Sequence, residues 1–448
     1  MPARFTTTIL SCSAAMLLMM TLPAHALGDG LTPMGAEQAG NEDGTIPPWT
    51  GGLEQQPLEN RQAGYQNPFA DDEPRFFITA DNQDEYRAHL TPGQMAMLHR
   101  HPETFRMPVY PTRRSASYPQ GVYEAVARNA RTAQLEGTDR LSGAATGPAF
   151  PVPENGAQAI WNHKTGYGTS GVRLYPTMIV VDRFGRHSLR RTRMDILPNY
   201  GRLDREPDEL DNILSMYIQE VLPPYRAAGL MIMGHTAIDP EQGASNHWSS
   251  TARKGIVSSV PRDLFAYDRS DAMSNNQLTA DQTGGFSGPL DKYEWELVGK
   301  REIFIPYNAY ALEDKKLEPG DLVGPAHLNP AHLRYELHRV WVVDATLREG
   351  KKHRYSRRTF YLDEDSWNIA LVDVYDDDGY IMQLQEAHLF NAYDVPLVTT
   401  TVSTIYPLEG SNRYLALNVD NNEPTVQFNL DLETSDMTPA ALRRRATE

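Results

Sequence analysis

The sequence predicts a mainly β protein with helices (α+β), built on a broad antiparallel sheet. Three observations predict it. From Trp295 to Leu432, apolar and polar residues alternate along one short segment after another. Tight turns such as Glu349-Gly350-Lys351, Asp376-Asp377-Asp378-Gly379 and Glu409-Gly410-Ser411-Asn412 separate the segments, and short turns make antiparallel neighbours. Helical spacing is confined to a few segments before Leu222.

Taken in order, Arg4, the apolar run Ala14-Ala15-Met16-Leu17-Leu18-Met19-Met20 and the small-residue site Ala24-His25-Ala26 read as a Sec-type signal peptide over 1–26, cleaved near Ala26. The one cysteine, Cys12, precedes the apolar run, whereas a lipoprotein's cysteine would follow it. The exported chain is therefore expected to carry no lipid anchor, disulfide, thiolate metal site or cysteine nucleophile. No later run approaches the roughly 20 apolar residues of a membrane helix.

Residues 27–160 read as an N-terminal extended arm followed by helices that pack on the sheet, and 161–448 as the large antiparallel domain. The arm, 27–75, is rich in Gly, Pro, Asn and Asp, with Trp49 as an anchor. Asn82 and Thr91-Pro92-Gly93-Gln94 start helices over 82–106. Between Tyr118 and Leu135, Val122, Ala125, Val126 and Ala130 share a helical face, and Gly143 to Pro153 is a loop. Strands are expected over Val172–Val181 and His187–Asp195, a helix over Pro207–Val221, a strand over Leu230–Ile238 and a polar loop over 268–291. Further strands are expected at Trp295–Ile305, Tyr335–Leu347, Tyr355–Leu362, Ile369–Tyr375, Tyr380–Glu386, Val398–Tyr406, Arg413–Val419 and Thr425–Leu432. Along the first two of these, Trp295, Leu297, Ile303 and Ile305, and then Tyr335, Leu337, Trp341 and Val343, fall on alternate positions and are expected to line one apolar face.

The chain has 448 residues, 40% of them hydrophobic, and a net charge of −16. That acidity argues against nucleic acid and against adsorption to anionic surfaces. Lys351-Lys352-His353-Arg354 and Arg357-Arg358 read as a hairpin tip and a solvated strand face. No phosphate-binding glycine loop, nucleophile elbow or H-E-x-x-H occurs. His327, His332 and His338 lack convergent ligand spacing, and the acidic runs Asp363-Glu364-Asp365 and Asp373–Asp378 lack the alternating ligands of a calcium loop, so neither metal nor cofactor is expected. His163 is expected to lock a loop onto the sheet. Arg113 and Arg114 offer a grip for a carboxylate or phosphate headgroup, with structural ion pairs as the plainer alternative.

Several strings, in order, carry a family resemblance. They are Leu31–Glu37 with Gly44–Gly52; Pro108–Arg114; Phe150–Pro153 with Ile160–His163; Lys300–Asn308; Arg339–Val343; and Phe360–Trp367. As a set they resemble the bacterial periplasmic family of domain of unknown function 1329, over nearly the whole exported chain. The resemblance implies a periplasmic protein with an open antiparallel half-barrel covered by helices, like the lipoprotein carriers LolA and LolB. It also implies a porin-like outer-membrane protein and a permease of the resistance-nodulation-division type as partners, and it supplies no catalytic residues. The chain departs from the family pattern at Trp248–Lys254, followed by Gly255-Ile256-Val257, and the sheet centre and its ligand preference are expected to differ there.

The favoured expectation is a periplasmic carrier for a hydrophobic or lipid-like molecule, held on the apolar face named above. The alternatives are a bridging subunit between the permease and an outer-membrane barrel, with no ligand of its own, and a hydrolase with distant paired carboxylates. A filled core with an exposed apolar patch would favour the bridging subunit.

Overall fold

The computed structural model describes residues 27–240, 242, 246–251, 256–259, 274, 277–410 and 412–447. The proposed signal peptide lies outside them. The N-terminal part contributes β1 (Phe76–Ile78), α1 (Pro92–Arg100), β2 (Met107–Val109), α2 (Gln120–Thr132), the hairpin β3 (Gln134–Glu136) and β4 (Arg140–Ser142), and α3 (Gly156–Lys164). Then come β5 (Val172–Leu174), β6 (Thr177–Val181), β7 (His187–Leu197), β8 (Ile213–Val221), β9 (Leu230–Ala237), β10 (Asn246–Thr251) and β11 (Val257–Ser259). The rest is β12 (Tyr293–Pro306), α4 (Pro319–Leu322), β13 (Tyr335–Leu347), β14 (Arg357–Asp363), β15 (Ile369–Tyr375), β16 (Ile381–Asn391), β17 (Val398–Pro407), β18 (Tyr414–Val419) and α5 (Pro439–Arg445).

One open sheet runs β1–β2–β13–β14–β15–β16–β17–β18–β6–β7–β8–β9–β10–β11, with β12 also on β13 and β5 also on β7. Every pairing is antiparallel except the single contact of β2 with β13. The fold is thus mainly β with a few helices, and among the described residues the sheet does not close into a barrel. β5 and β6 lie on one pairing line with β7, Leu174 opposite Met194 and Thr177 opposite Arg191. They are one strand, interrupted at Pro176, which cannot donate to the ladder.

The helix signals act as the sequence predicts at α1: Thr91 and Gln94 cap each other reciprocally, and Pro92 opens the first turn. In α2, Val122, Ala125 and Val126 are buried, but Ala130 faces solvent. Asn129 is buried in its place because its amide donates to the carbonyls of Thr146 and Pro148. Two expectations are corrected. Pro207–Val221 is not a helix: a single turn at Pro207–Glu209 leads into β8, where Leu214, Met216 and Ile218 are buried and alternate with half-buried neighbours. Thr425–Leu432 is not a strand; its one ladder contact is Gln427 with Arg173. The departure at Trp248 falls on β10, next to the sheet's end rather than at its centre, and 252–255 lie outside the described residues.

Directly opposed residues share a face, so the register divides the interior. One row runs Leu297–Val343–Phe360–Val372–Gln385–Ile405–Leu415–Val180–Ser188 across β12 to β18, β6 and β7. α3 covers its beginning and Leu278 packs on Val180, Ile405 and Leu415. The opposite row, Val342–Tyr361–Leu371–Glu386–Thr404–Ala416–Ile179–Leu189, lies under α1 and the 303–333 segment. α5 covers the continuation of that second face, Met216, Ile218, Met231 and Met233.

α3 sits directly on the strands because its first residue has no side chain. A Cβ on Gly156 would lie 2.8 Å from the Trp295 carbonyl carbon and 2.9 Å from Val343 Cγ1. Gly156→Ala is expected to destabilise the fold by about 1–3 kcal/mol through overpacking, read as a lower urea midpoint at unchanged m-value.

Candidate functional site

The strings that carry the family resemblance converge in space. The turn from β14 to β15 presents Asp363, Glu364 and Asp365, all buried. Arg114 meets Asp365 with two parallel hydrogen bonds, Nε to Oδ2 at 2.9 Å and Nη2 to Oδ1 at 2.6 Å, the geometry that suits a guanidinium–carboxylate pair. Glu364 takes Lys300 at 3.0 Å and Arg339 at 3.4 Å, and Lys300 also reaches Glu37 of the arm at 2.8 Å. His338 lies between Asp363 (3.4 Å) and Glu336 (3.3 Å). Glu336 continues to Arg334 at 2.6 Å, which meets Asp72 at 2.8 Å, and Asp72 also holds Arg113 at 2.6 Å.

The charges balance. Glu37, Asp72, Glu336, Asp363, Glu364 and Asp365 face Arg113, Arg114, Lys300, Arg334 and Arg339, with His338 as the sixth cation. Burial works against an imidazolium, but Asp363 and Glu336 outweigh it and push the His338 pKa up to about 9. Burial likewise works against an ionised Glu336, but Arg334 and His338 outweigh it and hold its pKa below the usual value. Burial, with Asp365 beside it, raises that of Glu364.

His338, Asp363 and Asp365 bring candidate metal-ligand atoms within 4.8 Å of one another. Their donors are already committed: both imidazole nitrogens face carboxylates and Asp365 is gripped by Arg114. His327 bonds Leu328 and Thr104 elsewhere, so the three histidines picked out in the sequence do not meet.

The arm is fastened to the same place. Trp367 Nε1 donates to the Met34 carbonyl at 2.9 Å, and the Trp367 ring stacks on Trp341 at 6.1 Å. Trp49 donates to the Ala116 carbonyl at 3.0 Å. His163 is half-buried and accepts from the Ile369 N–H at 3.3 Å, locking α3 to β15, with its pKa pushed down to about 4 by burial. Arg114 pairs with Asp365 in the interior, and Arg113, whose side chain is exposed, pairs with Asp72, so both expected headgroup arginines already have a carboxylate of the chain beside them. Arg358 is fully buried rather than on a solvated face; it pairs with Asp281 at 2.8 Å amid Phe286, Tyr293, Tyr355 and Phe360.

The residues expected to line one apolar face are divided. At Leu297–Gly299 β12 bulges, and Val298 is 54% exposed. A bulge inserts one residue and reverses the alternation beyond it. Trp295 and Leu297 therefore share a face with Val343 and Trp341, while Ile303 and Ile305 oppose His338 and Glu336 on the other. Tyr335, Leu337, Val343, Ile303 and Ile305 are all buried, and Trp295, Leu297 and Trp341 pack against the core. A partly open pocket of about 40 Å³ between Gly284-Gly285 and β15–β18 has room for about one water. This end of the sheet is filled.

The first face does not end there. Beyond β6 it continues through Leu174–Met194–Gln219–Ile232–Ser249 and Val172–Ile196–Tyr217–Gly234–His247, across β5, β7, β8, β9 and β10. Val172, Leu174, Met194, Ile196, Leu230 and Ile232 are half-buried, and none joins a hydrophobic cluster of the described residues. Five strands about 4.8 Å apart make this stripe about 19 Å wide. The helix expected at Pro207–Val221 hid it; the alternation of Leu214, Met216 and Ile218 with Ser215, Tyr217 and Gln219 is the signal that points to it.

Breaking the buried Arg114–Asp365 pair with Arg114→Ala is expected to cost about 3–5 kcal/mol, measured by denaturant unfolding. The His338 contribution has a definite sign. Unfolded histidine titrates near 6.5, so the stabilisation is complete below about pH 6.5 and is lost as pH rises through about 9. Asp373 and Glu386, pushed up by burial to about 7 and 8, act in the same direction at lower pH. The fall in unfolding free energy between pH 8 and 9.5 is therefore expected to be shallower in His338→Gln than in the unaltered chain.

Residues 77–443 match the family model described as protein of unknown function, DUF1329. The chain is 40% identical over 424 residues to the uncharacterized protein PA3922 of Pseudomonas aeruginosa, covering 94% of this chain and 92% of that one. A putative outer membrane lipoprotein-sorting protein domain from Vibrio parahaemolyticus is similar at a TM-score of 0.41 and 14% identity, over 61% of this chain and 92% of that one. The LolA superfamily protein NE2245 from Nitrosomonas europaea is similar at a TM-score of 0.37 and 10% identity, over 64% of this chain and 98% of that one. With its family strings gathered around one buried ion network and the family model spanning most of its length, this chain belongs to the DUF1329 family.

Proposed function

We propose that this protein works in the bacterial periplasm, binding a hydrophobic or lipid-like molecule and passing it on within an envelope transport system. The observation that carries the reading is the half-buried apolar stripe on β5 and β7–β10, which no hydrophobic cluster of the described residues claims. Its apolar side chains alternate across the strands with Gln219, Tyr217, Ser249 and His247, and apolar surface rimmed by polar groups is a candidate binding surface. Export is supported by the signal-like start of the sequence, and no helix among the described residues is long and apolar enough to cross a membrane.

Energetics favour a handover over storage. Moving an acyl chain of about sixteen carbons out of water is worth on the order of 12 kcal/mol at ~0.8 per CH₂. A flat face shields roughly half of it, before the costs of association are subtracted. A second surface must supply the rest. A permease of the resistance-nodulation-division type and a porin-like outer-membrane protein are the partners that fit this need. The filled interior also favours the second reading, a bridging subunit whose stripe contacts a protein partner and no ligand.

The test uses protein purified from periplasm, native mass spectrometry and lipid analysis of the bound fraction. A stoichiometric apolar ligand is expected, with Ile196→Asp and Ile232→Asp each weakening its binding at least tenfold while near-ultraviolet circular dichroism stays unchanged. A ligand-free mass that takes up nothing from a lipid panel would sink the carrier in favour of the bridging subunit.

A further inference from the structure

The stripe has a charged end. β7 carries three arginines: Arg191 pairs with Glu423 and Arg193 with Glu220, both ion pairs, but no carboxylate lies within ion-pair distance of Arg190 among the described residues. Arg190 stands opposite Met178 and has the parity of Met194 and Ile196, so it projects on the stripe's side of the sheet. Among the described residues, neutral groups hold its guanidinium in place. It lies 4.6 Å from the centre of the Tyr225 ring, and Nη1 donates to Ser188 Oγ at 2.8 Å and to the Leu189 carbonyl at 3.5 Å. Its Nε is buried with no hydrogen-bond partner. A desolvated donor left unpaired costs free energy, and a fork of this shape is built to take an acidic oxygen pair.

The arginines around it are mostly paired: Arg173 with Asp195, Arg186 with Asp182, Arg191 with Glu423, Arg193 with Glu220 and Arg202 with Asp204, so Arg190 stands out on β7 by having no carboxylate partner among the described residues. Four residues of strand separate Arg190 from Met194, about 13 Å at the usual rise, so one extended amphiphile can touch both.

We infer that the cargo of this face is a single-chain anionic amphiphile, its acidic headgroup paired with Arg190 and its alkyl chain lying across β7, β8 and β9. The inference rests on the carrier reading and adds the charge class of the ligand and the residue that selects it. It assigns to Arg190 the headgroup role that the sequence suggested for Arg113 and Arg114, each of which has a carboxylate of the chain beside it.

Calorimetric titration of the full exported chain with laurate and with 1-dodecanol, both below their aggregation limits, separates the two ideas. Laurate is expected to bind at least tenfold more tightly than the alcohol, and to weaken as salt is raised while the alcohol does not. Arg190→Gln is expected to erase the preference and leave alcohol binding unchanged; Arg190→Lys is expected to restore part of it. Equal affinities in the unaltered chain, or a preference that survives Arg190→Gln, would overturn the inference and leave the carrier standing. Binding of neither probe overturns both, as does sedimentation with anionic phospholipid vesicles without uptake of monomer, which assigns the basic end to a membrane surface.

Discussion

The structure depends on a cost taken on early and offset locally: charges brought together and largely buried at the turn between β14 and β15. Each ion removed from water carries a penalty of several kcal/mol, so such a group is tolerable only when its partners are all present. Three carboxylates from one tight turn, Asp363, Glu364 and Asp365, require cations from three separate places: Arg114 from the segment after β2, Lys300 from β12, and His338 and Arg339 from β13. Local sequence supplies the acids and distant sequence the bases. The network therefore specifies which long-range pieces meet, and the arm, through Glu37 and Asp72, is part of that specification rather than an accessory. Trp367 shows how far the surroundings determine the turn. A bulky residue at φ +61° is strained, and it is held there by its hydrogen bond to Met34 and its stack on Trp341.

That arrangement also explains why the sheet is full at one end and bare at the other. The arm, α2, α3 and the 277–290 loop gather over β12–β18, where the network fastens the arm, and the first face is covered there by Trp161 and Phe286. No member of the network reaches past β14 toward β7–β10. On that side the second face still has its cover, α5, fixed by Arg445 on Asp195. The first face continues there, and among the described residues no corresponding helix lies on it. The half-buried stripe and the solid core are thus one surface, divided by where the described covering elements are tied down.

Much of this was legible in the sequence. The hairpins of β13–β18 could be read from alternation and turn chemistry because each strand there is bounded by Gly- or Asp-rich turns. α1 could be read from Thr91, Pro92 and Gln94. Two things could not be read, for physical reasons. Leu210, Ile213, Leu214, Tyr217 and Val221 satisfy a helical spacing while Leu214, Met216 and Ile218 satisfy a strand's, and cross-strand pairing with β7 and β9 decides between them; no local propensity does. The bulge at Val298 is invisible to a parity count, since Gly299 carries no side chain to mark the change of face, so Ile303 and Ile305 were grouped with residues they turn away from. The ion network was half legible: the acids stood out as Asp363-Glu364-Asp365, but convergence with Arg114 and His338 is a fact of three dimensions.

A solid core beneath a bare apolar stripe restricts what this family member can do with a ligand. A carrier that encloses its cargo must open and close, and the rows under α3 and α1 leave no room for that without breaking packed contacts and buried ion pairs. A face that is always half-open needs no such motion. On the proposed carrier reading it would shield one side of an apolar chain and leave the other for the receiving surface, with modest affinity and fast release as the consequence. Specificity then has to come from the edge of the stripe, where hydrogen-bonding groups discriminate better than apolar area does. On this molecule that edge carries Arg190, the β7 arginine with no carboxylate partner among the described residues.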